Sequence, residues 1–487
     1  MPINGFLYPA PSTPSFAYEV ANSLRFDFND DPRLARTLST PTNADKYTFS
    51  AWIKRDQPTT SAQDYAYLIS FDIGGTLREH IRFSTGGAND QLSWYIRDSG
   101  STATSLTTTR QFRDFSAWYH VCCAYDSTQS TSSNRQKIYI NGTQVTSFSS
   151  SGYVSQNQDS PINTDGHAVK IGSLGNSAGT TGNFSGYMAE VCFIDGQALD
   201  PTSFGEFDTD SPNIWKPKSV SGLTFGNNGF HLDFEDSSAL GNDVSGNNND
   251  WTPSDFTTTD QSTDTCTNNF ATLNPLVTYP SASPVHSEGN LQVVTVNADP
   301  GYFGSSSTIG VTQGKWYAEF KPTNSTSGVP YLIGVSSDPA EMARNGATSG
   351  NQYSSTEWGY YGHNGNQYHD GSNSSYGDAY TTNDIIGVAL DLDNHKLYFS
   401  KNGTFQNSGD PTSGSTGTGA ISIDTGETYF FILTDLGGAV CTYQANFGSP
   451  PFSISSGNSD ANGYGNFEYS VPSGYYSLNT KNLAEFG

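Results

Sequence analysis

Short runs in which apolar and polar residues alternate, each closed by Gly, Asn, Asp or Ser, recur along most of the chain and constrain its fold more than any other feature. From Ser23 to about Asp208 they are SLRFDF (23–28), YTFSAWIK (47–54), YAYLISF (65–71), QLSWYIRD (91–98), WYHVCCAY (118–125), KIYI (137–140), AVKIG (168–172) and GYMAEVCFI (186–194). From about 290 to 455 they are LQVVTV (291–296), KWYAEFKP (315–322), YLIGVS (331–336), EWGYYG (357–362), DIIGVALDLD (384–393), KLYFS (396–400), TYFFILTD (428–435) and AVCTYQANFG (439–448). Successive side chains of a strand point to opposite faces, so period two between turn residues predicts half-buried strands. No window holds a helical period for ten residues, and the strand spacing fits two-sheet sandwiches or jelly rolls. The chain is expected to be all-β. Its 29 Phe, 28 Tyr and 50 Gly suit sheets joined by tight turns.

The boundaries follow from composition. Residues 1–20 hold Pro2, Pro9, Pro11 and Pro14 and predict an extended Pro-rich arm that docks on something else. Strand-rich sandwiches are expected over 21–208 and 290–455, with a C-terminal tail over 456–487. Residues 209–289 turn to Asn, Asp, Ser and Thr and predict an acidic connector that packs little. No Lys or Arg occurs from Ser219 to Gly314, where ten acids do (Asp233, Glu235, Asp236, Asp243, Asp250, Asp255, Asp260, Asp264, Glu288, Asp299). This stretch reads first as a solvated linker that wraps the domain surfaces and second as a place for calcium, although Asp243 and Asp250 do not follow the spaced ligands of an EF-hand loop.

Lys and Arg number 22 against 47 Asp and Glu, a formal charge of −25, which repels nucleic acid and argues against it as a partner. No stretch approaches eighteen apolar residues and the start of the chain has no basic segment followed by an apolar one, so neither membrane insertion nor a secretory leader is expected, and synthesis in a cytoplasm is. The five cysteines (Cys122, Cys123, Cys192, Cys266, Cys441) are odd in number and lack metal-ligand spacing, which predicts reduced, mostly buried thiols.

Motifs for catalysis are sparse. Sugar hydrolysis needs two carboxylates flanking the bond, and alternate residues of a strand share a face. Asp233 and Glu235 meet that spacing without a third partner and read as turn residues; Asp391 and Asp393 do so at a hairpin turn. Gly175-Asn176-Ser177-Ala178-Gly179 matches a nucleophile elbow by letter alone, because Gly, Ser and Thr follow where a helix is required. Gly310 to Lys315 is one residue short of a phosphate loop and reads as the start of a strand. The eight histidines include no zinc-ligand pair. No catalytic residue and no cofactor is expected.

The two halves share a hairpin pattern, Lys137-Ile138-Tyr139-Ile140-Asn141-Gly142 and Lys396-Leu397-Tyr398-Phe399 followed by Asn402-Gly403, the strongest short hairpin signal. With WYHVCCAYD (118–126), KIYINGTQV (137–145) and FSGYMAEVCFIDGQAL (184–199), residues 20–205 resemble a laminin-G-like jelly roll of the concanavalin A-like superfamily. GKWYAEF (314–320), IGVS (333–336), WGYYG (358–362), GDAYTTNDIIGVALDLDNHKLYFSKNGTF (377–405) and YFFIL (429–433) resemble a SPRY domain, itself a concanavalin A-like sandwich. The resemblances together imply two concanavalin A-like β-sandwiches. The tandem, with GFHLDFEDSSALGNDVSGNNNDW in the middle and GYGNFEYSVPSGYYSLNTKNLAEFG at the end, resembles virion and tail-fibre proteins of marine tailed bacteriophages. That likeness implies a protein of the virion surface, made in the host cytoplasm, anchored to other virion proteins through its arm and binding a host-surface glycan or protein. Trimers are a family-level expectation for fibres. An architectural capsid or tail decoration and a surface-polysaccharide hydrolase are the alternatives.

The candidate contact surface lies in WGYYGHNGNQYHDGSNSSY (358–376). Aromatic faces stack on sugars while amides and carboxylates bind hydroxyls. Trp358 and Tyr360 alternate inward as core, leaving Tyr361, His363, Asn364, Asn366, Tyr368, His369 and Asp370 as the loop residues expected to meet a ligand.

Overall fold

The computed structural model describes residues 18–57, 65–73, 76–84, 90–100, 102–175, 182–277, 284–295, 303–325, 331–340, 354–435 and 440–487. Nearly all regular structure is β. The first sandwich pairs two sheets. One runs in the order Thr143–Gln144, Gln136–Ile140, Trp118–Asp126, Lys46–Arg55, Gly186–Asp195, Ser23–Phe26 and Gln261–Ser262, with Phe230–Leu232 also on Gly186–Asp195. The other runs Phe148–Ser151, Ala103–Gln111, Gln91–Arg97, Arg78–Ser84, Tyr65–Asp72, Ala168–Ile171, Arg33–Thr37 and Thr252–Ser254. Phe49, Ile53, Ile81, Trp94, Val121 and Ile171 are among the apolar side chains sealed between them.

The second sandwich repeats the plan. Its larger sheet centres on Lys315–Ser325, Ile386–Asp391 and Lys396–Lys401, and its smaller one runs Phe303–Ser306, Phe430–Asp435, Tyr331–Ser336, Glu357–Tyr361, Asn366–His369 and Ser372–Ser375. Trp316, Phe320, Ile333, Trp358, Tyr360 and Phe431 are in its core. Both expected hairpins form, because Asn141-Gly142 (φ 48° and 76°) and Asn402-Gly403 (φ 48° and 79°) supply the two left-handed residues that such a turn requires.

The expectation that residues 209–289 pack little is overturned. The central strand Gly186–Asp195 is buried along its whole length, so its sheet carries apolar residues on both faces. Cys122, Cys192 and Ile194 on the outer face are covered by Phe204, Val220 and Phe225, and Trp52 and Ala189 by Val20 and Trp215. Phe230, Leu232, Phe234, Leu240 and Trp251 enter the main core. The segment is a cover layer whose polar residues hydrogen-bond among themselves while its few apolar ones anchor. Residues 464–475 do the same for the second sandwich, placing Phe467 and Tyr475 over Tyr317, Ala389 and Tyr398.

Of the expected arm, residues 1–17 lie outside the described residues. Tyr18 and Val20 belong to the sandwich: Tyr18 Oη donates to Glu190 Oε2 at 2.9 Å, and the Val20 backbone N–H to Thr267 Oγ1 at 3.1 Å. No helix among the described residues is long and apolar enough to cross a membrane.

Candidate ligand-binding site

The expected contact residues fall on a regular sheet edge where the sequence suggests a loop. Strand Glu357–Tyr361 pairs with Asn366–His369, which pairs with Ser372–Ser375. The second connection is the two-residue turn Asp370-Gly371, with φ 47° and 69°. An Asp-Gly pair favours this turn, and it draws the flanking residues into strands.

His363, Asn364 and Asp370 stay in turns, and register divides the four that lie on strands, Tyr361, Asn366, Tyr368 and His369, between two faces. Gly359 opposes Tyr368 and Tyr360 opposes Gln367, so Trp358, Tyr360, Gln367 and His369 share the inner face while Tyr361, Asn366 and Tyr368 share the outer one. On the outer face the rings of Tyr361 and Tyr368 meet edge-on at 5.2 Å, His363 lies 5.9 Å from Tyr361, and Asn364 Nδ2 donates to Tyr368 Oη at 3.3 Å. Asn366 Nδ2 donates across the hairpin to Asn373 Oδ1 at 2.9 Å. Asp370 is exposed at the turn.

The inner face opens into a groove of about 380 Å³ where the edges of the two sheets of the second sandwich meet. Gln367, His369, Ser372 and Ser374 line one side and Ile421 and Ser422 the other, with Trp358 at the floor. The His369 ring stacks on the Trp358 indole at 4.3 Å and 13°, and its Nδ1 lies 2.9 Å from the Glu357 carbonyl oxygen. A carbonyl only accepts, so Nδ1 carries a proton and directs Nε2 toward the groove. Gln367 Nε2 donates to Ser374 Oγ at 2.7 Å, which holds the amide in place. Among the described residues no carboxylate, ammonium or guanidinium lines the groove; it offers hydroxyls, an amide and an imidazole beside an apolar wall, a set that suits a neutral, polar ligand.

Of the seven expected residues, only His369 reaches this groove. Gln367, Ser372, Ser374 and Ser422 were not anticipated. Asp370-Gly371 was the available signal for the first three, since pairing 366–369 with 372–375 follows from it; Ser422 arrives from the other sheet and left no local trace.

The remaining carboxylates are occupied structurally. Asp233 Oδ1 accepts the Glu235 backbone N–H at 3.1 Å, a turn contact. Asp391 is fully buried, ion-paired with Lys315 Nζ at 2.9 Å, and accepts the Asn394 N–H at 3.0 Å; Asp393 accepts the Gly314 N–H at 2.9 Å. In the calcium-candidate loop, both Asp243 oxygens take donors from His231, Ser245 and Asn249, and Asp250 accepts from Asp243 N–H. Each sandwich also encloses one glutamate. Glu79 receives Tyr47, Trp94, Ser160 and the Ile162 N–H. Glu319 receives Tyr317, Asn446 and the N–H groups of Glu468 and Tyr469. Both are sealed from solvent and cross-link strands to the segments over them. Of the nucleophile-elbow letters, residues 176–179 lie outside the described residues.

Comparison with known proteins places both sandwiches. Residues 29–202 match the family model of the concanavalin A-like lectin/glucanases superfamily, laminin G type, and residues 315–420 match the SPRY domain model. The fold is therefore all-β, with a laminin G and a SPRY sandwich of concanavalin A-like type. Among solved structures, the SPRY domain of human HERC1 is 17% identical, with 36% of this chain and 96% of that one covered and a TM-score of 0.28. A candidate carbohydrate binding protein from Bacteroides ovatus is 16% identical over 48% of this chain and 58% of its own, TM-score 0.32. A pentraxin from Limulus polyphemus is 16% identical over 38% and 80%, TM-score 0.26. No curated protein matches the chain.

Proposed function

We propose that this chain is a non-enzymatic virion protein of the tail or fibre type that adheres to a glycan or protein of the host surface. The observation that carries the binding role is the groove floored by Trp358 and flanked by His369, which is open and lined by the fixed Gln367 amide and by hydroxyls. A net charge of −25 keeps the surrounding surface from sticking to polyanions, so that recognition rests on shape and hydrogen bonds. Supporting the virion setting are the tandem of sandwiches and the sequence likeness to phage proteins. In this reading the Pro-rich arm before Tyr18 is the anchor to other virion proteins.

The test is saturable binding of the fluorescently labelled full chain to candidate host cells, with extracted surface polysaccharide as competitor. Competed binding that Gln367→Ala and His369→Ala both weaken supports adhesion through the groove. Absence of binding, even when the chain is displayed in many copies on beads, favours the architectural reading, in which a decoration protein covers the particle without a receptor. Release of reducing sugar from the polysaccharide would make the chain a hydrolase and overturn the non-enzymatic assignment.

A further inference from the structure

Strand Arg78–Ser84 of the first sandwich lies between Tyr65–Asp72 and Gln91–Arg97. Ile81, Phe83, Trp94 and Ile96 point into the core, so the pleat turns Arg78, His80, Arg82, Tyr95 and Arg97 to the outer face. By register this face reads Asp72–Arg78–Arg97 in one row, Ser70–His80–Tyr95–Ser105 in the next and Tyr67–Arg82–Ser93–Thr107 in the third. Three arginines thus share one patch in a chain that has only 22 Lys and Arg and a charge of −25. Arg78 and Arg97 stand directly opposite each other, which like charges disfavour. Asp72 is the one carboxylate in these rows, 3.4 Å from Arg78 Nε. Asp98, next along the chain, serves its own turn, where Oδ1 accepts the Thr102 N–H at 2.9 Å.

A second observation is that four buried nitrogens of this patch have no hydrogen-bond acceptor: Arg78 Nε, His80 Nε2, Arg82 Nε and Arg97 Nε. His80 is 1% exposed, between the rings of Tyr67 at 4.9 Å and Tyr95 at 5.8 Å. Arg82 Nη1 donates to His80 Nδ1 at 3.2 Å and to Tyr67 Oη at 3.1 Å. A guanidinium only donates, so His80 Nδ1 accepts and the neutral ring carries its hydrogen on Nε2. That nitrogen is turned to the Arg78 end of the patch, 3.6 Å from Asp72 Oδ2 and beyond hydrogen-bond reach. Tyr65, with its ring centroid 3.5 Å from Arg82 Cζ, fixes the guanidinium in place. Buried donors are nearly always satisfied, so four that are not, beside three guanidiniums and one carboxylate, call for further acceptors of negative charge.

We infer that the outer face of the first sandwich binds an acidic sugar, seating its carboxylate or sulfate between Arg78, Arg82 and Arg97. Guanidinium forks match such oxyanions with paired hydrogen bonds. Beside the arginines the hydroxyls of Ser93, Ser105 and Thr107 lie 3.0–3.3 Å from one another. With the Tyr95 ring they suit the hydroxyls and the apolar face of the rest of the sugar. The three rows hold no aliphatic side chain, which sets this face apart from the apolar centre of a protein interface. Negative charge over the rest of the chain repels a long uniform polyanion, so the acids of the ligand are spaced along a mostly neutral glycan. The face belongs to the other sandwich from the groove at Trp358, and either can bind without the other.

The experiment is calorimetric titration of the full chain with trigalacturonate, with sulfated lactose and with maltotriose, together with thermal unfolding, for the native sequence, Arg82→Gln, Arg97→Gln and Lys218→Gln. Lys218 is an exposed cation of the cover layer and controls for loss of charge alone. Binding of an acidic sugar and none of maltotriose is expected, and whether carboxylate or sulfate binds identifies the acid. Arg82→Gln and Arg97→Gln each weaken it about tenfold or more. Arg97→Gln leaves the Tm unchanged or higher, because the like-charged neighbour of Arg78 is gone, so its loss of binding is not a loss of fold. Lys218→Gln binds as the native chain does. No binding of either acidic sugar up to about 10 mM, equal binding of maltotriose, undiminished binding in Arg97→Gln, or an equal loss in Lys218→Gln overturns the site.

Discussion

Lys54 Nζ lies 2.7 Å from Asp264 Oδ2 with both side chains 1% exposed, joining strand Lys46–Arg55 of the first sandwich to the acidic segment that sequence composition presents as a linker. Its two other hydrogens go to Asn269 Oδ1 at 2.7 Å and the Phe270 carbonyl at 3.1 Å, while Trp118 Nε1 donates to the second Asp264 oxygen at 3.1 Å. Every donor of the ammonium is used, the condition under which a buried pair is tolerated. Lys54→Met strands a buried carboxylate and is expected to destabilise the protein by about 3–5 kcal/mol, with Asp264→Asn in the same background recovering part of the loss. Urea unfolding of the single and double variants checks this.

The cover layer makes a second prediction. Trp215 Nε1 donates to His120 Nδ1 at 3.1 Å, and His120 Nε2 lies 2.8 Å from Ser50 Oγ. Burial pushes the His120 imidazolium down to about 3, so the ring is neutral with its proton on Nε2. Trp215→Ala removes a large buried ring and leaves His120 without its donor, at a cost of about 3–5 kcal/mol. A loss below about 1 kcal/mol in denaturant unfolding would show the layer to be dispensable.

Stability should fall as pH rises. Burial pushes Asp56 up to about 7, and burial pushes Glu288 up to about 7 against the pull of Arg25. Both folded values exceed the ordinary ones near 4, so their contribution is full below about pH 4 and is lost as pH rises through 7. The Tm is expected to drop by several degrees between pH 5 and 8. Glu288→Gln should flatten that slope, which a series of thermal melts will show.

The groove separates two faces of one hairpin. Gln367→Ala and His369→Ala are expected to weaken ligand binding at least tenfold with little change in Tm, whereas Tyr361→Ala and His363→Ala on the opposite face leave binding intact. Titration of the same glycan or cell preparation against all four variants distinguishes the faces.

All five cysteines are free thiols, and Cys122, Cys123, Cys192 and Cys441 are buried. Burial raises the first three thiols far above their ordinary range, so little thiolate is available to react. Ellman's reagent should leave these four unlabelled in the native protein and label all five in guanidinium.

Much of the fold was legible because its signals are local. Alternation along YLIGVS and KLYFS, and the Asn-Gly turns at 141–142 and 402–403, each sit within a few residues, and the structure forms strands and hairpins there. The candidate site was legible only in part. Tyr361 and His369 are correctly found in one aromatic, amide-rich stretch, yet a one-residue difference in pleat sends them to opposite faces. His369 gained its role from Ile421 and Ser422, some fifty residues away on the other sheet.

The sequence by itself determined the all-β class, the paired sandwiches and their turns, since side-chain period and left-handed turn residues act over distances of two to four residues. Only the tertiary structure decided that residues 209–289 form a packed layer. Their apolar residues are too few and too scattered to show a period, and they count only because the outer faces around Trp52 and Cys192 wait to be covered. The same holds for the meeting of Asp27 with Glu288 and of Lys54 with Asp264: like-charged and oppositely charged groups over two hundred residues apart become neighbours through topology, which no local pattern encodes.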